Sequence, residues 1–177
     1  TVYRTRFAEP LYQMHDEVWT VLKRFGKTPP PVKDGPLLQL LGTEWGRKTL
    51  GENIWVELAQ NYVATMKECF YQLNEAPGVA LQPMVVIFED ARFENEITVF
   101  PEAYTIRLEA PEYTRKKRCE SWRENSQHAS ETGLDERSAI GGFDCIANTS
   151  VHSSEYIARA IVRSLDTPPV ARPLYIV

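Results

Sequence analysis

Cysteine is scarce: Cys69, Cys119 and Cys145 are the only three in 177 residues, far apart and odd in number. Such spacing supports neither a disulfide framework nor a zinc site, and the simplest setting is a reducing, cytoplasmic one. Histidine is equally thin, with three residues at no local ligand spacing, so no metal site is expected. No apolar run approaches the roughly 18 residues that a spanning helix requires. No charged segment followed by an apolar stretch opens the chain, so no secretory signal is read. A net charge of −4 tells against a protein whose whole surface binds nucleic acid. What remains is an ordinary globular composition, 43% hydrophobic and 25% charged, which supports one domain with its own core, with or without a mobile insertion.

Apolar residues Leu11, Met14, Val18, Leu22 and Phe25 fall three and four apart. This predicts an amphipathic helix over 10–25, with Pro10 in its first turn and Gly26 as its stop. A proline-rich loop follows, and Asp34 is placed to cap a helix from Pro36 to about Trp45. The next helix starts after Asn53, with Ile54, Leu58, Tyr62, Met66, Phe70 and Leu73 as its apolar stripe. Met84 to Phe88 is apolar without alternation, as in a parallel strand buried on both faces. Further strands are predicted at 103–108 and 143–147, a helix at 153–165, and then a proline-rich tail. Strands separated by helices indicate an α/β fold of three layers.

In parallel sheets ligands bind beyond the carboxyl ends of the strands, so the residues there are the candidates. Glu89-Asp90-Ala91-Arg92 follows the first apolar strand, and the acid can orient the arginine toward a phosphate. A charged, solvated loop explains it equally well. Arg115-Lys116-Lys117-Arg118, with Arg107 and Arg123, gives six basic residues around a polar excursion that runs to Gly142. A solvated helix face, a phosphate-clamping lid and a nucleic-acid patch all fit that pattern. Alone, His128 reads as a surface histidine, and Arg47 as a cation suited to a helix end.

Taken in order, six segments resemble the phage-type deoxynucleoside monophosphate kinases, relatives of adenylate kinase in the P-loop class. Phe7-Ala8-Glu9-Pro10-Leu11 is similar to F-A-D/E-P-L, and Leu37 to Glu44 with Gly46-Arg47 to L-L-Q-x-L-G-T-E-x-x-R. Asn53-Ile54-Trp55-Val56 matches x-x-W-V. Asp90-Ala91-Arg92-Phe93 with Asn95-Glu96 resembles D-V-R-F-x-N-E, His128-Ala129-Ser130-Glu131 resembles H-x-S-E, and Asp144 to Asn148 resembles D-x-I-x-N. Each is short, but together they cover nearly the whole chain in sequence order.

The resemblance implies a single domain over 1–177: a three-layer, P-loop kinase-like parallel sheet flanked by helices, with a mobile polar lid at about 111–142. It implies ATP-dependent phosphorylation of a deoxynucleoside 5′-monophosphate to the diphosphate for DNA precursor synthesis, in the cytoplasm of a phage-infected cell. Arg47, Trp55, Asp90, Arg92, Glu96, His128 and Glu131 would bind the dNMP. Arg115, Arg118 and Arg123 would close over the transferring phosphoryl group, and Asn148 and Thr149 would meet the ATP, with Mg2+ as its metal. The partners implied are dNMP and ATP, with no membrane and no nucleic acid; the helical faces allow a homodimer.

The family's most specific motif does not occur: no G-x-x-x-x-G-K-[ST] is present in these residues. In the relatives it lies on a strand and turn before F-A-D/E-P-L, so a strand carrying that loop is expected ahead of Thr1. The competing reading is a nucleotide-binding relative without catalysis. A second departure is the short stretch between Asn95-Glu96 and the next strand, where relatives often have a helix.

Overall fold

The computed structural model describes residues 1–31, 34–74, 84–118, 132–165 and 174–176. They form two compact units, Thr1–Ala91 and Arg92–Val177, where the sequence reading expects one domain. Both are α/β and both sheets are parallel, as expected for the class.

In the first unit, β1 (Val2–Thr5) pairs with β2 (Val85–Phe88) in the register Val2 to Val85 and Thr5 to Phe88. Helix α1 (Glu9–Arg24) matches the periodic stretch, has Pro10 in its first turn, and ends before Gly26 at φ 79°. At that left-handed angle glycine carries no side-chain penalty. The Asp34 carboxylate accepts from Leu37 N–H at 3.1 Å and so caps α2 (Gly35–Gln39). The expected helix does not stop near Trp45: the chain widens into a π-helical segment, Leu40–Leu50, closed by Gly51 N–H donating to Gly46 O at 3.1 Å. Helix α3 (Ile54–Asn74) then runs across the unit.

Two expectations are corrected here. The buried stripe of α3 is Trp55, Val56, Ala59, Val63 and Phe70, whereas Leu58 and Tyr62 are 37% and 40% exposed. The spacing of that stripe is also helical, so sequence periodicity alone did not fix its phase. Strand β2 is not buried on both faces: Val85 is 46% and Ile87 43% exposed. Among the described residues its sheet has two strands, too few to be covered on both sides.

In the second unit, β3 (Ile106–Glu109), β4 (Cys145–Asn148) and β5 (Leu174–Ile176) lie in that order, with β4 central. Short helices α4 (Glu94–Thr98), α5 (Glu112–Arg118) and α6 (Asp135–Ala139) connect the strands, and α7 (Ser154–Leu165) follows β4. A helix of five residues, Glu94–Thr98, thus stands before the next strand, where the sequence reading expects only a short stretch. Cys145, Ala147 and Ile157 form the core, with Tyr104, Ala160 and Ile161 packed on it. The register of β3 on β4 is pinned where the strands begin. Asp144 Oδ2 accepts from Thr105 N–H at 2.7 Å and from Thr105 Oγ1–H at 2.6 Å.

Candidate functional site

All strands within each sheet run the same way, so polar residues just past β1 and β2, and just past β3 and β4, gather at one end of their sheet. In the first unit Asp90 sits two residues beyond β2. Its carboxylate accepts from Phe7 N–H at 2.8 Å and Ala8 N–H at 3.1 Å. Ala8 holds the cap position of α1 but has no side-chain acceptor, and Asp90 ties down the two residues that lead into the helix from beyond the neighbouring strand. This fixes the turn that carries Arg6 and Phe7, and Phe7 stacks on Phe88 with centroids 4.4 Å apart. Arg4 pairs with Glu89 across the same sheet, an ion pair that raises the guanidinium pKa.

Beside this turn β1, α1 and α3 enclose a cavity of about 390 Å³. Arg6, Gln13 and Tyr62 line it over the Phe7 and Phe88 rings, and the exposed Leu58 and Tyr62 of α3 belong to its wall.

Trp55 is not part of that wall. It is 4% exposed, and its indole N–H donates to Gly42 O at 2.9 Å. Its ring lies so close to Gly46 that a Cβ there would sit 2.4 Å from Trp55 Cζ2. Trp55 and the two glycines are therefore one packed unit at the π-helical segment, and Trp55 serves packing where the resemblance implies a nucleotide contact. Arg47, at the end of that segment, donates from Nη1 to Glu52 O at 3.0 Å.

In the second unit, Arg92 is exposed, and Glu96 is buried with its carboxylate accepting from Arg92 N–H at 2.7 Å and Phe93 N–H at 3.2 Å. Glu96 thus closes the first turn of α4 and is committed to the backbone. Arg118, at the end of α5, and Thr149, just past β4, meet: Nη1 donates to Thr149 Oγ1 at 3.0 Å and Nη2 to Thr149 O at 2.6 Å. Thr149 in turn donates to Glu109 O, from N–H at 2.8 Å and from its hydroxyl at 3.0 Å. Asn148 Oδ1 accepts from Ser150 N–H at 2.9 Å and from its hydroxyl at 2.6 Å. Arg115 is exposed one turn earlier on α5. Arg123, His128 and Glu131 lie outside the described residues.

Sequence reasoning missed Arg6, Gln13 and Tyr62. Arg6 immediately precedes the Phe7 motif, and Tyr62 was assigned to the buried stripe. It also missed Arg137, whose guanidinium grips Glu94, with Nε 2.9 Å from Oε2, and lies over the Phe143 ring at 5.8 Å. The hydrogen bond from Arg137 holds the Glu94 carboxyl below its usual range.

Among the described residues no group of three or more His, Cys, Asp or Glu could hold a metal ion. None of the described helices is long and apolar enough to cross a membrane. No family model, curated protein or solved structure matches this chain.

Proposed function

We propose that this chain binds a deoxynucleoside 5′-monophosphate as the acceptor domain of a deoxynucleoside monophosphate kinase, a three-layer P-loop relative that forms the diphosphate from ATP. The observation that carries the reading is the convergence of lid and strand end: Arg118 on Thr149, beside Asn148, past the carboxyl ends of β3 and β4. Phosphoryl transfer asks for positioning and neutralisation of charge more than for covalent chemistry, and these residue types provide both. Arg47 in the first unit and Arg92 in the second each carry a guanidinium fork of the kind that suits a phosphate. Asp90 in the first unit and Glu96 in the second each hold a backbone turn of their own unit. Arg115, Arg118 and Arg123 carry the positive charge of the lid, and His128 and Glu131 belong to the same segment.

The residues at hand do not fit the donor. No glycine-rich phosphate loop with its lysine occurs in the sequence, and no metal-binding group stands among the described residues. No transfer step is therefore assigned to ATP or Mg2+ here. The second reading is a nucleotide-binding relative that keeps the acceptor site without catalysis.

One experiment separates them. The protein is titrated calorimetrically with each of the four dNMPs, and then incubated with dNMP, ATP and Mg2+ while dNDP is followed by chromatography. Binding with turnover supports the kinase, and binding without turnover supports the second reading. Absence of dNMP binding overturns both.

A further inference from the structure

In the second unit Arg107 pairs with Asp135, Arg137 with Glu94 and Arg159 with Glu155. Each of these cations faces a carboxylate of its own chain. Arg118 differs. Among the described residues its partners are both neutral, the hydroxyl and the carbonyl oxygen of Thr149, at 3.0 and 2.6 Å. Its charge is held in place without being cancelled.

Thr149 is itself fixed. Its amide and its hydroxyl both donate to Glu109 O, the carbonyl at the end of β3, at 2.8 and 3.0 Å. Donating its single proton there leaves the hydroxyl's lone pairs for Arg118 Nη1. The threonine is a two-way link, tied to the strand end on one side and to the guanidinium on the other. Valine has the same shape and could make neither hydroxyl bond.

A guanidinium carries five N–H donors. Thr149 occupies one on each Nη, which leaves Nε–H and one proton on each Nη for a further acceptor. Arg118 is exposed, so these donors stand open to solvent. They suffice for a bidentate contact with an oxyanion. An exposed arginine at a helix end ordinarily samples many rotamers, and a ligand that orders it loses affinity to that ordering. Here the ordering precedes the ligand.

We infer that Thr149 is a positioning residue for Arg118, holding the guanidinium beyond the carboxyl ends of β3 and β4 so that its free donors meet a phosphoryl oxyanion. The inference deepens the phosphate-handling part of the reading above, on which it rests. It gives Thr149 a role other than the ATP contact that the resemblance implies.

The test is calorimetry on the full chain with inorganic pyrophosphate, a phosphoryl probe free of base and sugar, and in parallel with the four dNMPs. The variants are Arg118→Gln, Thr149→Val, Thr149→Ser and the double variant that joins the first two, with urea unfolding to check that each folds. Arg118→Gln is expected to weaken pyrophosphate by about 10- to 100-fold, the loss of a charge-assisted contact. Thr149→Val is expected to weaken it by about 2- to 10-fold, and Thr149→Ser, which keeps the hydroxyl, to stay within about twofold of the parent. Added to Arg118→Gln, Thr149→Val is expected to cost less than about twofold more, because its effect runs through Arg118. A merely structural threonine would weaken binding equally in both backgrounds, and that result overturns the positioning role. So does a parent that binds no pyrophosphate, or an Arg118→Gln or Thr149→Val variant that binds it as the parent does. If the pyrophosphate pattern holds while no dNMP binds, the positioning stands and the nucleotide reading alone falls.

Discussion

Asp144 and Asp90 look alike in the sequence, each an acid beside an apolar strand, and both turn out to hold backbone. Asp144, with two hydrogen bonds to Thr105 and its own amide donating back to Thr105 Oγ1 at 3.1 Å, sets the start of β3 against β4. Asp144→Ala is expected to cost about 1–2 kcal/mol in urea unfolding, since two exposed hydrogen bonds are lost with little packing. Asp144→Asn, which keeps an acceptor, should recover part of it. Glu94 offers a pH test. Its carboxyl titrates below the ordinary range because Arg137 hydrogen-bonds to the charged form. The folded pKa is therefore below the unfolded one. The pair adds stability above the ordinary carboxylate range and loses it as the pH falls through the folded value. Glu94→Gln should flatten the acid limb of a stability-against-pH curve and leave its neutral-to-alkaline limb parallel to the parent's. The gain at neutral pH is small, because the carboxylate is largely in water.

The π-helical segment was not legible as such. Its residues carry an ordinary helical pattern from Pro36 onward, and nothing local announces a wider turn. The cause is a contact at long separation, Trp55 entering against Gly42 and Gly46, and a single sequence does not state that pairing. Gly46→Ala should be costly, by about 1–3 kcal/mol, since the added carbon meets both the Trp55 ring and Leu41 O at 2.8 Å. Thermal unfolding followed by tryptophan fluorescence measures it, and a neutral result would mean that ring and backbone part easily. By contrast α1, its glycine stop and the Asp34 cap were all readable, because caps and amphipathic spacing are local signals. The phase of α3 was not: which helical stripe is buried depends on where the neighbours are, and here the cavity took Leu58 and Tyr62.

The α/β class and its parallel strands followed from alternation of helix and strand, whereas β1 and β5 did not. Both are short, and β1 carries two hydrophilic residues among its four. Pairing with β2 and β4, not intrinsic pattern, makes them strands. Of the candidate residues read from the sequence, Arg118 and Thr149 are brought together, while Trp55, Asp90 and Glu96 hydrogen-bond to backbone, which no local pattern announces. Cys145 has a practical consequence. Its sulfur is shut away at 0% exposure, and burial pushes the thiol pKa up, so little thiolate exists to react. Cys69, at the surface, is open to alkylation. With Cys69 and Cys119 replaced by serine, an alkylating reagent can label the chain only when β4 comes out of its sheet. The labelling rate then becomes a clock that counts openings of the second unit and ignores those of the first.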